Sequence, residues 1–131
     1  MQSGSTENGI SRKIIGAAIE VHKTFGPGLL ESTYETSLAR EPDPRGTSYQ
    51  RQHALPLIYK EANCDAGYMM DLLVEKKLIV EIKAVECLGD NHVAQLLTHL
   101  KLTGCRLGLL INFNVGKLRD GIRRVVIRLG E

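Results

Sequence analysis

The chain has 131 residues, of which 43% are hydrophobic and 24% charged, as expected for one folded domain and not for a disordered or fibrous chain. Its longest apolar stretches, around residues 78–80 and 107–111, are far shorter than the roughly 20 residues of a membrane-spanning helix, so we expect a soluble protein without a membrane partner. A net charge of +2 does not by itself indicate a nucleic-acid-binding protein, because such binding depends on where basic residues cluster.

The start of the chain and its cysteines bear on the compartment. Residues 1–8 are small and polar and lack the basic start and apolar run of a secretory signal, so we expect a flexible start and a cytoplasmic protein. Cys64, Cys87 and Cys105 cannot all pair and form no Cys-x-x-Cys motif, which favours reduced thiols. We expect residues 1–131 to form a single domain.

Two helices are predicted in the first third of the chain. Apolar residues recur at helical spacing over residues 10–25, and Gly26-Pro27-Gly28 cannot continue that helix. In the following segment an apolar residue recurs every fourth position over residues 30–38, until Pro42 ends the pattern. The two helices should therefore pair around a tight turn.

A β-rich section follows. Residues 48–59 are β-prone, and residues 68–74 and 78–84 are predicted to form the two strands of a hairpin, joined by the charged turn Glu75-Lys76-Lys77.

The last third of the chain is predicted to hold a helix over residues 90–102, a buried strand over residues 107–113, and a final strand or helix after Lys117. This order combines a hairpin with a crossover that can return parallel to the sheet. We therefore predict an α/β domain with a mixed central sheet flanked by helices.

Three charged residues lie on the predicted hairpin. Side chains alternate along a strand, so Glu81 and Lys83 share one face, and counting outward from the turn places Asp71 directly opposite Glu81. Opposed side chains have Cβ atoms roughly 5 Å apart, and like charges there repel unless a cation lies between them. Mg2+ binds carboxylate oxygens of this kind, and Lys83 could then orient a water and stabilise charge on a phosphate.

An exposed Glu81–Lys83 pair, with Asp71 at a strand end, would explain the same pattern, because acid-x-Lys is common. The surroundings favour a site, since the second strand is apolar on both faces and its charges should be partly buried. Its apolar residues are Ile79, Val80, Ile82, Ala84 and Val85.

Four segments resemble one known family: GLLESTY, MDLLVEKKLIVEIKA, AQLLTHLKLTG and GLLINFNV. They are similar to blocks of the bacterial and archaeal GxxExxY proteins, which are placed in the PD-(D/E)XK nuclease-like superfamily, and the similarity spans about residues 10–126. The resemblance implies a core of a helix, a three-stranded antiparallel unit, a helix and a returning strand, in agreement with the element order predicted above.

The resemblance also implies residue roles. The implied catalytic residues are Lys83, Asp71, Glu81 and Glu31. The implied ligands of a Mg2+ or Mn2+ cofactor are Asp71, Glu81, Glu31 and the backbone carbonyl of Ile82. Helix geometry places Glu31 at the edge of the apolar arc of the second helix and Glu35 further toward solvent. A first-turn acid favoured by the helix dipole would also explain Glu31.

The third helix carries a polar stripe beside its leucine face, formed by His92, Gln95 and His99. RecB-like members of the superfamily support their site with a Gln-xxx-Tyr motif on this helix, which Gln95 matches, whereas His99 replaces the tyrosine. We expect Gln95 and His99 to support the site, with solvated histidines as the equal alternative. Tyr34 is a further supporting candidate, although a place in the core is the stronger expectation.

Basic residues cluster near the end of the chain, with Asp120 as the single acid among them. They are Lys117, Arg119, Arg123, Arg124 and Arg128. Lys117, Arg119, Arg123 and Arg124 are candidate nucleic-acid-binding residues, although a solvated face is the stronger expectation.

We therefore predict a Mg2+-dependent nuclease that hydrolyses DNA phosphodiester bonds with a metal-activated water. One alternative is a non-catalytic nucleic-acid- or protein-binding module on the same fold. Another is a small dimeric junction resolvase, for which a homodimer would be expected.

Overall fold

The computed structural model describes residues 6–41, 48–55, 58–63 and 69–127. Helix α1 spans Glu7–Phe25 and begins earlier than predicted, because the Thr6 side chain caps it by accepting a hydrogen bond from the Gly9 amide at 3.0 Å. Residues 6–8, expected to be flexible, are therefore the cap and first turn of this helix. Helix α2 spans Glu31–Ala39, after a glycine-containing turn.

Within the described residues, one mixed sheet carries most of the strands. Its order is β1 (Tyr49–Ala54), β4 (Met69–Val74), β5 (Leu78–Lys83), β6 (Leu107–Asn112) and β7 (Ile122–Val126). A separate small hairpin consists of β2 (Ile58–Tyr59) and β3 (Ala62–Asn63). Helix α3, Asp90–Thr103, connects β5 to β6, which pair parallel, while the other neighbours in the main sheet pair antiparallel. The predicted α/β architecture with a mixed sheet is confirmed.

The hairpin has the predicted register, since Val74 pairs with Leu78 across the turn at residues 75–77. The segment after Lys117 contains both alternatives in short form, a 3-10 turn at Leu118–Gly121 followed by β7. Several residues used in the predictions lie outside the described ranges, namely Pro42, Cys64, Tyr68 and Arg128. None of the helices in those ranges has the length and apolar character needed to cross a membrane.

Two apolar clusters pack on opposite faces of the sheet. Alternation along β5 places Val80 in the cluster shared with α1 and α2, and Ile79 in the cluster shared with α3. Both side chains are fully buried, and each such burial contributes about 1.5–3 kcal/mol. Met70 packs in the α3 cluster, unlike Leu72 and Val74, so regular alternation along β4 fails next to Asp71.

Helix α3 lies close over β6 because Gly108 has no side chain. A Cβ atom there would approach the Leu96 side chain to 2.8 Å. This close packing holds the same turn of α3, which also carries Gln95 and His99, near the end of β5, where the predicted site residues lie.

Gly121 has a similar function beside Asn112. We expect Gly121→Ala to lower the free energy of unfolding by about 3 kcal/mol, because the new Cβ would overlap the Asn112 backbone carbonyl oxygen, which cannot rotate away. Urea denaturation followed by circular dichroism measures this. The matched control is Gly116→Ala, whose Cβ would enter open space and should change stability by less than about 0.5 kcal/mol. Equal effects of the two substitutions would contradict the steric explanation.

Candidate active site

The carboxylates of Asp71 and Glu81 hold the backbone together where β4 and β5 separate. The antiparallel register is continuous up to Leu72 and Val80, and Asp71 and Glu81 stand one row further out. There the Glu81 carboxylate accepts a hydrogen bond from the Asp71 amide at 3.2 Å, and the Asp71 carboxylate accepts one from the Ile82 amide at 2.7 Å. Each acid is therefore fixed by the backbone of the facing strand.

A cavity of about 480 Å³ opens where these two carboxylates end. Its walls are Met69, Asp71, Glu81 and Lys83 from the strands, and Ala94, Gln95, Thr98 and His99 from α3. The fold thus brings the predicted trio Asp71, Glu81 and Lys83 into one cavity, and the supporting candidates Gln95 and His99 line the same cavity from α3.

The two histidines of α3 have different surroundings. His99 is 5% exposed, and its Nδ1 lies 3.6 Å from Oε2 of Glu81, within ion-pair distance when the ring is protonated. His92 instead accepts a hydrogen bond from the Gly89 amide at 2.9 Å, at the start of the helix. His99 therefore contacts the acidic centre, whereas His92 serves the helix terminus.

Negative charge accumulates at Asp71. The pKa of Asp71 is raised from 3.8 to about 6, first by burial and then by the charges of Glu81 and Glu35, against the lowering effects of the Ile82 amide and Lys83. A carboxyl with a raised pKa, beside a second acid in a cavity, is a candidate functional group.

The two acids of α2 differ from the prediction. Glu35 is only 6% exposed, whereas Glu31 is exposed. The predicted helix phase counted Leu30 as part of the apolar face, but Leu30 precedes the helix and is 73% exposed. The buried side of α2 consists of Tyr34, Glu35 and Leu38, so the prediction that Glu35 points toward solvent is wrong.

Glu31 occupies a different place from the acidic pair. Its carboxylate accepts a hydrogen bond from the Ala84 amide at 3.0 Å, just beyond β5. It lines another cavity, of about 430 Å³, together with Leu29, Leu30 and Ser32. Glu31 thus fixes the chain just beyond β5, and its function as a metal ligand stays a prediction.

Tyr34 lies in the core, which was the stronger of the two expectations for this residue. Its ring stacks on Phe113 with centroids 4.4 Å apart, and its hydroxyl donates to the Gly26 carbonyl at 2.6 Å and accepts from the Leu29 amide at 3.1 Å. Tyr34 therefore secures the turn that starts α2 and does not line the cavity.

Two residues of β1, which belong to no recognisable motif, bind Glu35 beside the acidic pair. Arg51 donates from Nε to Oε2 of Glu35 at 3.2 Å, and Gln52 donates from Nε2 to Oε1 of Glu35 at 2.6 Å. The Gln52 amide also lies 3.4 Å from Oδ1 of Asp71. The one signal for them in the sequence is the polar run of residues 50–53 within a segment predicted to be a strand.

Asn112 is a further residue that sequence patterns did not single out. It is buried at the end of β6, where its amide both accepts from the Val85 backbone at 3.1 Å and donates to it at 2.9 Å. This double hydrogen bond fixes the chain just after Lys83. An asparagine that ends an apolar strand is the corresponding sequence signal.

The candidate nucleic-acid-binding residues are all exposed: Lys117, Arg119, Arg123 and Arg124. Arg123 pairs with Leu110 of the α3-side cluster, whereas Arg124 pairs with Leu109 of the opposite cluster and hydrogen-bonds Asn8. Consecutive strand residues point to opposite faces. Within the described residues, these two arginines therefore do not belong to one strip, and only Arg123 is on the cavity side.

The donor atoms in the cavity suit a hard divalent cation. Asp71 and Glu81 present carboxylate oxygens there, whereas Ile82, whose carbonyl is a further predicted ligand, is buried and is not among the residues that line the cavity. Across the described part of the chain, no group of three or more His, Cys, Asp or Glu side chains is already assembled for a metal. A cation would thus have two carboxylates as its protein side-chain ligands, an arrangement typical of Mg2+.

An antiparallel three-stranded unit, extended by a parallel returning strand and carrying Asp and Glu-x-Lys where two strands separate, defines a nuclease-like α/β domain. Residues 8–125 match the family model of the PD-(D/E)XK nuclease superfamily, and the chain belongs to that superfamily. Searches among curated proteins and among solved structures gave no match.

The raised pKa of Asp71 predicts a pH-dependent stability. Because folding raises this pKa from 3.8 to about 6, the contribution of Asp71 to stability is full below about pH 4 and is lost as the pH rises through about 6. In cation-free buffer, the free energy of unfolding of Asp71→Asn should therefore rise relative to that of the wild type as the pH increases from about 4 to about 7. We expect this difference to change by about 1–2 kcal/mol, after allowance for solvent screening. Urea denaturation at several pH values measures the difference.

The matched control is Asp120→Asn, which removes an exposed carboxylate far along the chain from the cavity. If both substitutions gave the same pH-dependent difference, the burial of Asp71 would not be its cause.

Proposed function

We propose that this protein is a divalent-cation-dependent deoxyribonuclease whose active site is the cavity of Asp71, Glu81 and Lys83. The observation that carries the proposal is the pair of crossed hydrogen bonds, which holds both carboxylates beside Lys83 at the cavity mouth. Membership of the nuclease superfamily supports phosphodiester hydrolysis.

Asp71, Glu81 and the Ile82 carbonyl would hold Mg2+ or Mn2+. When bound, the cation supplies Lewis-acid stabilisation of the phosphate charge and a more acidic water. The fit rests on two carboxylates that are already oriented, and on the negative charge of Glu81 beside Asp71.

Lys83 would act on the phosphate directly. Lys83 is half-buried and lines the same cavity as the two acids, where low solvent access would strengthen the interaction of its ammonium group with the charge that develops during cleavage. Gln95 and Thr98, on the opposite wall, can donate hydrogen bonds that orient the sugar-phosphate chain. His99 would hold the Glu81 carboxylate in place through the contact between its Nδ1 and Oε2 of Glu81.

Replacement of Lys83 tests the proposed chemistry. We expect Lys83→Met to lower the rate of DNA cleavage with Mg2+ or Mn2+ by about 10²–10³-fold, because the charge that stabilises the transition state is lost while the side-chain length is kept. A fluorescence assay with labelled linear and branched DNA under single-turnover conditions measures this rate.

The control for this test is Lys101→Met, which removes an exposed lysine on α3. It should cleave at the wild-type rate. A wild-type protein that binds DNA but cleaves it no faster than Lys83→Met would contradict the nuclease proposal and favour a non-catalytic binding module.

The split between Arg123 and Arg124 gives a test of the DNA surface. Glu81 pairs with Leu110, and Leu110 with Arg123, so Arg123 stands in the row of Glu81, about 10 Å away across two strand spacings. A phosphate near the cavity is therefore within reach of this guanidinium.

We expect Arg123→Ala to weaken DNA binding and to reduce the salt dependence of the binding constant by about one phosphate contact. Arg124→Ala is the matched control on the other face and should have a smaller effect on both quantities. Fluorescence anisotropy at several salt concentrations, without divalent cation, measures them. A larger effect of Arg124→Ala would place the DNA on the α1 side.

If the chain is one of the GxxExxY proteins, Glu31 would be a further catalytic acid and metal ligand, next to the end of β5 that it binds through the Ala84 amide. A junction resolvase would act as a homodimer, so sedimentation analysis together with cleavage of branched and linear DNA separates this alternative from a general nuclease.

A further inference from the structure

Two consecutive residues of β1 bind the same buried carboxylate. Arg51 and Gln52 donate to the two oxygens of Glu35, at 3.2 and 2.6 Å. In a regular strand, neighbouring side chains point to opposite faces and could not converge on one acid. The backbone of Gln52 accounts for the exception, because its φ of 50° lies in the left-handed region.

This irregular residue stands opposite Asp71. The described β1–β4 register pairs Arg51 with Leu72 and His53 with Met70, and it leaves out the row between them. That row holds Gln52 and Asp71. The strand is therefore distorted at the position that faces the acidic centre.

The amide of Gln52 connects two acids. Its nitrogen is 2.6 Å from Oε1 of Glu35 and 3.4 Å from Oδ1 of Asp71. Ionised carboxylates only accept hydrogen bonds, so the NH2 end of the amide, and not its oxygen, must face both partners.

Glu35 provides a fixed anchor for this amide. It is 6% exposed on α2, and Arg51 balances its charge while also donating to the Thr36 hydroxyl at 3.0 Å. A left-handed conformation is unfavourable for a residue other than glycine, and it persists where the surroundings impose it, often at functional sites. Here the surroundings are the Glu35–Arg51 pair and Asp71.

We propose that Gln52 is a positioning residue for Asp71. Its amide, anchored on Glu35, fixes Oδ1 of Asp71, while the Ile82 amide fixes Oδ2, so the carboxylate keeps one orientation toward the cavity before any ligand binds. The benefit to cation binding rests on the proposed function, whereas the fixing of Asp71 does not. Groups that orient a ligating carboxylate change metal affinity by about 10- to 100-fold when they are lost.

Two substitutions separate the amide from the backbone. Gln52→Gly removes the side chain and adopts the left-handed backbone without penalty, so the fold should be kept. Gln52→Asn also tolerates that backbone and keeps an amide, but it is one methylene shorter and cannot span from Glu35 to Asp71. The matched control is Gln50→Ala, an exposed glutamine of the same strand that pairs with Leu73.

The first measurement uses the full chain without cations. The backbone amide of Ile82 donates to Asp71, so its NMR resonance and hydrogen-exchange rate report the orientation of that carboxylate. Gln52→Gly and Gln52→Asn should move the Ile82 resonance upfield and speed its exchange, whereas Gln50→Ala should leave both unchanged. The second measurement is calorimetry with Mn2+ alone, where both Gln52 variants should bind about 10- to 100-fold more weakly than the wild type.

The outcomes are distinct. An unchanged Ile82 amide in Gln52→Gly and Gln52→Asn overturns the proposal, as does an equal change in Gln50→Ala, which would indicate a general disturbance of β1. If the Ile82 amide changes as expected and even the wild type binds no Mn2+, the positioning stands and the proposed function fails. If the wild type binds Mn2+ and Gln52→Gly binds it equally well, the positioning does not serve cation binding and that part of the inference is overturned.

Discussion

Two carboxylates facing each other across β4 and β5 are the constraint around which this molecule is organised. Repulsion between Asp71 and Glu81 would separate the strands unless other groups compensated it. The chain compensates it by giving each acid a backbone amide of the opposite strand, so the groups that repel also close the sheet. This arrangement leaves negative charge at the cavity. The positive charge of Lys83 favours the ionised form of Asp71, and the Gln52 amide lies within hydrogen-bond distance of the same carboxylate.

The rest of the fold brings those groups in from both sides of the sheet. On one face, a glycine of β6 lets α3 come close enough for His99 to reach Glu81. On the other face, the stacked pair of Tyr34 and Phe113 secures the turn from which α2 starts, and α2 delivers Glu35 to the edge of the acidic centre. The two apolar clusters therefore determine the site by setting how far each helix stands from the strands.

Patterns in the sequence identified the features that depend on local periodicity. The hairpin register follows from the length of the turn, so the positions of Asp71, Glu81 and Lys83 could be counted correctly. The phase of α2 could not be predicted in this way, because the apolar residue Leu30 lies before the helix and is exposed. Counting it as part of the apolar face placed Glu31 at the edge of that face and Glu35 toward solvent, whereas in the structure Glu35 is buried and Glu31 is exposed. Gln52 was beyond reach for another reason, since its backbone breaks the alternation on which any strand-based count relies.

Strand β1 lies at one edge of the main sheet, and its side chains are mostly exposed on both faces. Such an element opens at a lower free energy than the buried central strands, through local unfolding that leaves the core intact. If Gln52 orients Asp71, the fraction of molecules with a correctly oriented Asp71 is determined by the local unfolding of β1 and not by the global free energy of unfolding. Activity would then decline on warming while the core remains folded, and a partner that covers the β1 edge would raise activity without touching the cavity.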